Sequence, residues 1–587
     1  MLSRTPSTNE AAASLKEALL RCKQSFITAG VVSFFINLLV LVPMIYMMQV
    51  YDRVMASGSL STLGMLTVLL VFLLAVSGGL EWIRSQILIV TSNRLDHSLN
   101  TRVYDAMFTA ALQSAGRMAS AQPLGDLLQL RQFLTGNGLF AFFDAPWLPF
   151  NIIIMWWFHW TFGVAAIISA FVLMGLNLWN ELSTRELLSK ANAASLEASN
   201  HTQRNLRNIE VIESMGMLPS LRGRWLVKQN KLLSMQAQAS ARASLITATS
   251  KLYRTVIQSL ILGLGAWLAI EKEISPGAMI AGSMLLGRAL APLDYLIGSW
   301  KGFVGARDAY GRLDKLLKAI PLMDDPMPLP PPTGQMSMES VAIVPPGSKK
   351  PIIAGVSLAI SAGQLVAVIG PSAAGKSTLI RAMLGLYKPA AGSVRIDGAD
   401  INQWSRDALG PHIGYLPQDV ELLDGTISEN IARFGEVDPE QVVAAAQRAG
   451  IHDMLLQLPE GYDTIIQGQG GQLSAGQRQR LGLARAMYGS PRIVVLDEPN
   501  SNLDQDGELA LAAALGSLKA EGITVVVVTH RPSLLQQVDL IAFMRAGQLA
   551  AFGPRDEVLK ALNPNAGNPQ PAPATVTAPI PRGAQPT

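Results

Sequence analysis

The sequence has 587 residues, of which 15% are charged where soluble domains average about 25%, and its mean hydropathy is +0.28. A net charge of +4, from 47 basic and 43 acidic residues, offers no basic surplus for nucleic acid, and one cysteine, Cys22, sets aside disulfide and zinc scaffolds. So little charge over this length excludes an ordinary cytosolic enzyme and directs attention to membrane-embedded helices.

Residues 1–25 form a short basic arm. Residues 26–50 then run for 25 positions without Asp, Glu, Lys or Arg, longer at 1.5 Å per residue than a hydrocarbon core of roughly 30 Å. A second uncharged stretch, 54–80, follows after only Tyr51, Asp52 and Arg53, so the two read as a hairpin. The first stretch exceeds the 7 to 15 apolar residues of a signal peptide, and no cleavage is expected. Residues 145–180 are uncharged and rich in Trp, long enough for two short spans turning near His159 to Gly163, with one steep helix as the competing reading. A third pair covers 255–270 and 274–300, separated by Glu271, Lys272 and Glu273.

Basic residues test this arrangement, because Lys and Arg accumulate on the cytoplasmic side. The arm and the two loops 81–144 and 181–244 hold 18 of them, against Arg53 and Lys272 on the opposite side. Six crossings with both ends cytoplasmic follow. The two inner loops have too few apolar residues for a core of their own and read as helices that continue the spans into the cytoplasm. The membrane domain is therefore 26–319.

Prolines at 321, 326, 328, 330, 331 and 332 mark a semi-rigid linker over 320–334. From 335 to 562 short apolar runs alternate with helical stretches and glycine turns, the pattern of an α/β domain. Residues 563–587 are Pro- and Ala-rich with few large apolar side chains, which predicts a disordered tail.

Within the α/β domain, a buried strand over 365–369 runs into Gly370, Pro371, Ser372, Ala373, Ala374, Gly375, Lys376, Ser377 and Thr378, and then a helix. This is a phosphate loop. Its backbone N–H groups would cradle ATP, Lys376 would reach the β- and γ-phosphates, and Ser377 would ligate Mg2+. A second buried strand, 492–496, leads into Asp497, which would help hold the metal, and Glu498, placed to polarise an attacking water.

Further motifs carry a family resemblance. Leu473-Ser474-Ala475-Gly476-Gln477 resembles the signature of ATP-binding cassette (ABC) proteins, Gln418 in Tyr415-Leu416-Pro417-Gln418 the glutamine loop, Ser501-Asn502-Leu503-Asp504 the D-loop, and Thr529-His530-Arg531 the switch histidine. With the phosphate loop and acidic pair, they stand in the family order. The resemblance implies a six-span α-helical transmembrane domain of the ABC exporter type followed by an α/β P-loop nucleotide-binding domain. It implies Glu498, His530 and Gln418 as catalytic residues, Ser377, Gln418 and Asp497 as the Mg2+ set, and Ser474, Gly476, Gln477 and Asp504 as nucleotide contacts. In that family the signature faces the phosphate loop of a second cassette, so one cassette per chain implies a homodimer with two equivalent ATP sites. One departure stands out: 341–346 carries no aromatic residue for adenine to stack on. Val344 or Pro345 would take that place, which predicts tolerance of other purine triphosphates.

Three stretches of the membrane domain resemble type I secretion ATPases of the protease-exporter kind. They are 47–54 at the first turn, Phe143-Asp144-Ala145-Pro146-Trp147 before the third span, and 287–293 leading to Gly298-Ser299-Trp300. The resemblance implies export of an unfolded polypeptide from the bacterial inner membrane, through a periplasmic membrane-fusion adaptor and a TolC-like outer-membrane channel. A lipid or drug exporter of the same architecture is the alternative. The 25 residues before the first span leave no room for the N-terminal peptidase domain of some relatives, so leader cleavage by this chain is not expected. Arg288, inside the sixth apolar stretch with Asp294 six residues on, either pairs with a neighbouring helix or, in the reading carried forward, faces the central channel. Lys251 and Arg254 are expected at the cytoplasmic entry of the fifth span.

Overall fold

The computed structural model describes residues 15–114, 119–206, 208–321, 329–345, 348, 350–467 and 473–562, so the tail and part of the linker fall outside the described residues. Two compact units divide the chain, Met1–Leu322 and Met323–Thr587.

The first unit is helical. Helix α1 (Leu15–Arg21) leads to α2 (Lys23–Leu39) and α3 (Val42–Gln49), and a five-residue π-turn, Val50–Val54, closes the first span. After α3 come α4 (Leu60–Gln113), α5 (Gln122–Thr135), α6 (Asn137–Asp144), α7 (Leu148–Phe158), α8 (Trp160–Leu206), α9 (Leu218–Ile270) and α10 (Pro276–Ala319). Among the described residues, six helical segments are long and apolar enough to cross a membrane. The uncharged stretch 145–180 does break in two: His159 adopts an extended conformation, φ −164° and ψ 141°, between α7 and α8. Its ring Nδ1 lies 2.6 Å from the Thr161 hydroxyl and 3.3 Å from the Thr161 N–H, a local bond that caps the start of α8. Much of the inner loops extends α4, α8 and α9, uninterrupted from apolar to polar sequence, while 122–144 forms the separate α5 and α6 and Ile209–Ser214 a short helix of its own.

Two large apolar clusters and a small one around Leu188, Ala239 and Val304 hold this unit. One, with Phe162, Leu173, Ile261 and Leu286, joins the membrane parts of α8, α9 and α10; Gly282 lies where a Cβ would meet the Phe162 ring at 2.7 Å. The other packs Leu15 and Ala18 of α1 against Leu99, Leu130 and Leu313 at the ends of the helices away from the apolar spans. Polar contacts join the rest. Arg84 is 6% exposed and pairs with Asp144 at 3.0 Å, donates to the Ser33 hydroxyl at 3.1 Å and stacks 4.4 Å from the Phe140 ring centre. At the turn between the first two spans, the Asp52 carboxylate accepts from the Ser275 hydroxyl at 2.5 Å and the Gly277 N–H at 2.7 Å, capping α10 from the first hairpin. His159 Nε2 and Glu273 meet at 3.0 Å, so all three turns are tied together.

The charges of the sixth span sort differently from a simple pair. Asp294 binds Arg254 at 2.8 Å and the Ser250 hydroxyl at 2.6 Å, whereas Arg288, six residues and nearly two helical turns away, is exposed. Arg254 therefore reaches into the helix bundle rather than only marking its entry.

The second unit is built on two main sheets, with a two-stranded ribbon of Gly425–Thr426 and Ile465–Ile466 beside them. Strands β1 (Met336–Ile343), β2 (Ile353–Ile360) and β4 (Ala391–Ile396) form an antiparallel sheet in the order β2-β1-β4, edged by Ala399–Asp400. The main sheet contains β3 (Leu365–Ile369), β5 (Ile413–Leu416), β6 (Ile493–Asp497), β7 (Thr524–Val528), β8 (Leu540–Arg545) and β9 (Gln548–Pro554). Its order is β9-β8-β3-β7-β6-β5, parallel except for β9. Every residue of β3, β6 and β7 is buried, as an apolar, β-branched run flanked by helices requires.

Candidate functional site

The parallel strands all point their C-terminal ends to one edge, the place where open α/β sheets bind ligands. From the end of β3 the chain turns through Gly370, where φ is +148° and a Cβ would lie 2.2 Å from the Met544 carbonyl. Ala373 at +62° and Gly375 at +97° continue the turn into α11 (Lys376–Met383). Such alternation aims successive N–H groups inward and adds the positive end of the helix dipole. Lys376 is 7% exposed and folds back over the loop, donating to the carbonyls of Gly370 at 2.8 Å and Pro371 at 3.2 Å. Its Nζ also lies 3.0 Å from Nε2 of His530, just past β7.

Beside it, β6 ends at Asp497, 2% exposed. Burial pushes its carboxyl above the usual range, the hydrogen bond from the Ser377 hydroxyl opposes this, and the charge of Glu498 adds to the rise. Among the described residues, Oδ1 of Asp497 is buried with no hydrogen-bond partner. An orphaned carboxylate oxygen next to a hydroxyl is a donor set that fits Mg2+. Glu498 itself sits at φ +51°, a strained conformation held by its N–H bond to the Val528 carbonyl at 3.1 Å. Its Oε2 accepts from the Gln418 amide at 3.1 Å. Thus Lys376, Ser377, Gln418, Asp497, Glu498 and His530, spread over 155 residues of sequence, converge on one edge.

The signature residues make a different arrangement. Ser474 caps α12 (Ala475–Met487), its hydroxyl accepting from the Gln477 N–H at 3.2 Å while the Gln477 side chain accepts from the Ser474 N–H at 2.8 Å. Gln477, expected among the nucleotide contacts, thus serves as the second half of a capping box. Asp504 caps α13 (Gln505–Ala520) through Gly507 and pairs with Arg480 of α12. Two residues were not singled out in the sequence. Gln479, 1% exposed, donates to the Glu498 carbonyl at 3.1 Å and accepts from the Asn502 N–H at 3.1 Å, linking α12 to the loop that carries Glu498. Asn500 accepts from Thr529 at 3.3 Å, tying the same loop to the segment before His530.

Residues 353–501 match the ABC transporter family, and residues 26–293 match the ABC transporter transmembrane region. The type I secretion system ATP-binding protein PrsD of Rhizobium meliloti (strain 1021) is 45% identical over 92% of this chain and 93% of that protein. The chain belongs to the ABC transporters of type I secretion. More distant ABC relatives include the toxin RTX-I translocation ATP-binding protein of Actinobacillus pleuropneumoniae, 27% identical over 92% of this chain and 77% of its own length. A bacterial Atm1-family ABC exporter solved with ATP bound superposes with a TM-score of 0.78 at 20% identity, covering 92% of this chain and 96% of that one, and so shares the exporter fold. This ABC exporter is a multi-pass membrane protein.

Proposed function

We propose that this ABC exporter hydrolyses ATP with Mg2+ at the edge of its parallel sheet and uses the energy to move an unfolded polypeptide, such as an extracellular protease, out across the bacterial inner membrane. The convergence of Lys376, Asp497, Glu498 and His530 supports hydrolysis most directly. In the reaction, Glu498 takes a proton from water as the water oxygen bonds to the γ-phosphorus in line with the breaking bond to ADP. Lys376 and the loop N–H groups hold the β- and γ-phosphates, and His530 orients the γ-phosphate. Mg2+, held by Ser377, Asp497 and Gln418, would neutralise charge on the phosphate oxygens when bound. Ser474 and Gly476 at the start of α12 present a helix N-terminus for the ATP of a second copy, which makes the working form a homodimer.

The 45% identical relative favours protein secretion over lipid or drug export, and with it a periplasmic membrane-fusion adaptor, a TolC-like channel and a polypeptide cargo. Co-expression with candidate adaptor, channel and cargo tests this. Lys376→Ala and Glu498→Gln should abolish export, and Glu498→Gln should slow phosphate release by roughly a thousandfold. Export that survives either change sinks the reading. GTP in the same phosphate assay should be hydrolysed within about tenfold of ATP, since 341–346 offers adenine no aromatic ring and one stacking contact is worth on the order of 1 kcal/mol.

A further inference from the structure

The membrane unit has a cleft that ATP chemistry does not use. Two adjoining cavities, about 710 and 390 Å³, share Ser120, Gln122, Asp126, Asn200, Gln203 and Arg312, and so form one space between α4, α5, α8 and α10. Gln129 and Asn192 extend its wall. At its base Asp126, 5% exposed, takes a two-pronged bond from Arg312 at 2.9 and 2.7 Å, which leaves the pair neutral.

Five side-chain amides stand on this lining, Gln122, Gln129, Asn192, Asn200 and Gln203, among apolar residues such as Met107 and Leu316. Each carries a donor and an acceptor, as a peptide group does, so the wall can pair with a backbone whatever side chains it bears. A helix has no such need, because its own N–H and C=O groups are already paired along its length. The position also suits a cytoplasmic chain. Asn192 to Gln203 follow Asn180, the last residue of the uncharged stretch, by 12 to 23 positions on the unbroken α8, which is roughly 18 to 35 Å beyond it toward the side rich in Lys and Arg.

We propose that this cleft holds an extended, unfolded segment of the exported polypeptide by its backbone before that segment enters the bilayer. It rests on the polypeptide-export reading above. The test uses the full-length protein in lipid nanodiscs, with Cys22→Ser and a single Asn200→Cys, and β-casein as a cysteine-free unfolded probe. At about ten times its half-saturating concentration β-casein should slow maleimide labelling at position 200 about tenfold. Ser234→Cys, exposed on α9 and outside the lining, should label at an unchanged rate. Adding Asn192→Leu and Gln203→Leu should raise the β-casein concentration needed for half protection by about tenfold or more. Unchanged labelling at position 200 overturns the proposal. So does oxidative cross-linking of Asn200→Cys to a second copy without probe, which would give the wall to the dimer. β-Casein stimulation of ATPase in the same nanodiscs, without protection at position 200, sinks the cleft but leaves polypeptide export standing; absence of both sinks the two together.

Discussion

In the nucleotide unit, β3, β6 and β7 are buried along their whole length, and Lys376, Glu498 and His530 follow within seven residues of their ends. In the membrane unit, none of the apolar window of α4 is buried within the chain and 50% of that of α10 is. Its helices are tied by separate polar bonds between positions as far apart as Asp52 and Gly277. The contrast follows from the two tasks. Phosphoryl transfer needs groups held to fractions of an ångström, which stiff buried strands with short loops supply. A transport path needs helices that can shift, and a few polar contacts in an apolar setting hold them without locking every surface.

The same substitution in each unit tests this contrast most severely. Gly370→Ala would force a Cβ within 2.2 Å of the Met544 carbonyl at a φ open only to glycine, and should abolish ATP binding in a nucleotide-binding assay. Gly277→Ala would place a Cβ 2.6 Å from both Asp52 Oδ2 and the Met48 carbonyl. It should open the outer clasp, reducing export while ATP affinity stays. Equal loss of ATP affinity in both variants would dissolve the distinction between the units.

A smaller effect is expected at the buried pair joining α4 to α6. Arg84→Met leaves the Asp144 carboxylate with the Asn37 amide at 2.9 Å as its partner and should cost about 2 kcal/mol of stability in detergent, seen as a lower unfolding temperature, whereas Arg84→Met with Asp144→Leu should recover most of it. A single variant as stable as the parent protein would show that the pair is not a tie. Smallest of all is Arg288→Ala. An exposed guanidinium within an apolar span costs about 3 kcal/mol against lipid, which favours a place on the channel. Export should fall several-fold with ATPase retained; unchanged export would put Arg288 outside the path.

Much of the molecule was legible from local signals. The run into Gly370 announced a strand, a phosphate turn and a helix because glycine placement and apolar periodicity act over a few residues. The six spans were legible because a bilayer demands about 20 apolar residues whatever their partners, and the break at His159 because the uncharged stretch was too long for one crossing. The role of Gln477 was harder. Its motif suggested nucleotide contact, while the capping box with Ser474 uses its side chain at home.

The sequence by itself determined the six apolar spans and the strand–loop–helix order around Gly370, since each depends on neighbours in the chain. Only the tertiary structure decided that Asp294 binds Arg254 and not Arg288, that Asp52 caps a helix 225 residues away, and that five amides from α5, α8 and their approaches line one cleft. Those facts depend on which helix faces approach one another, and hydropathy along the chain carries no record of that.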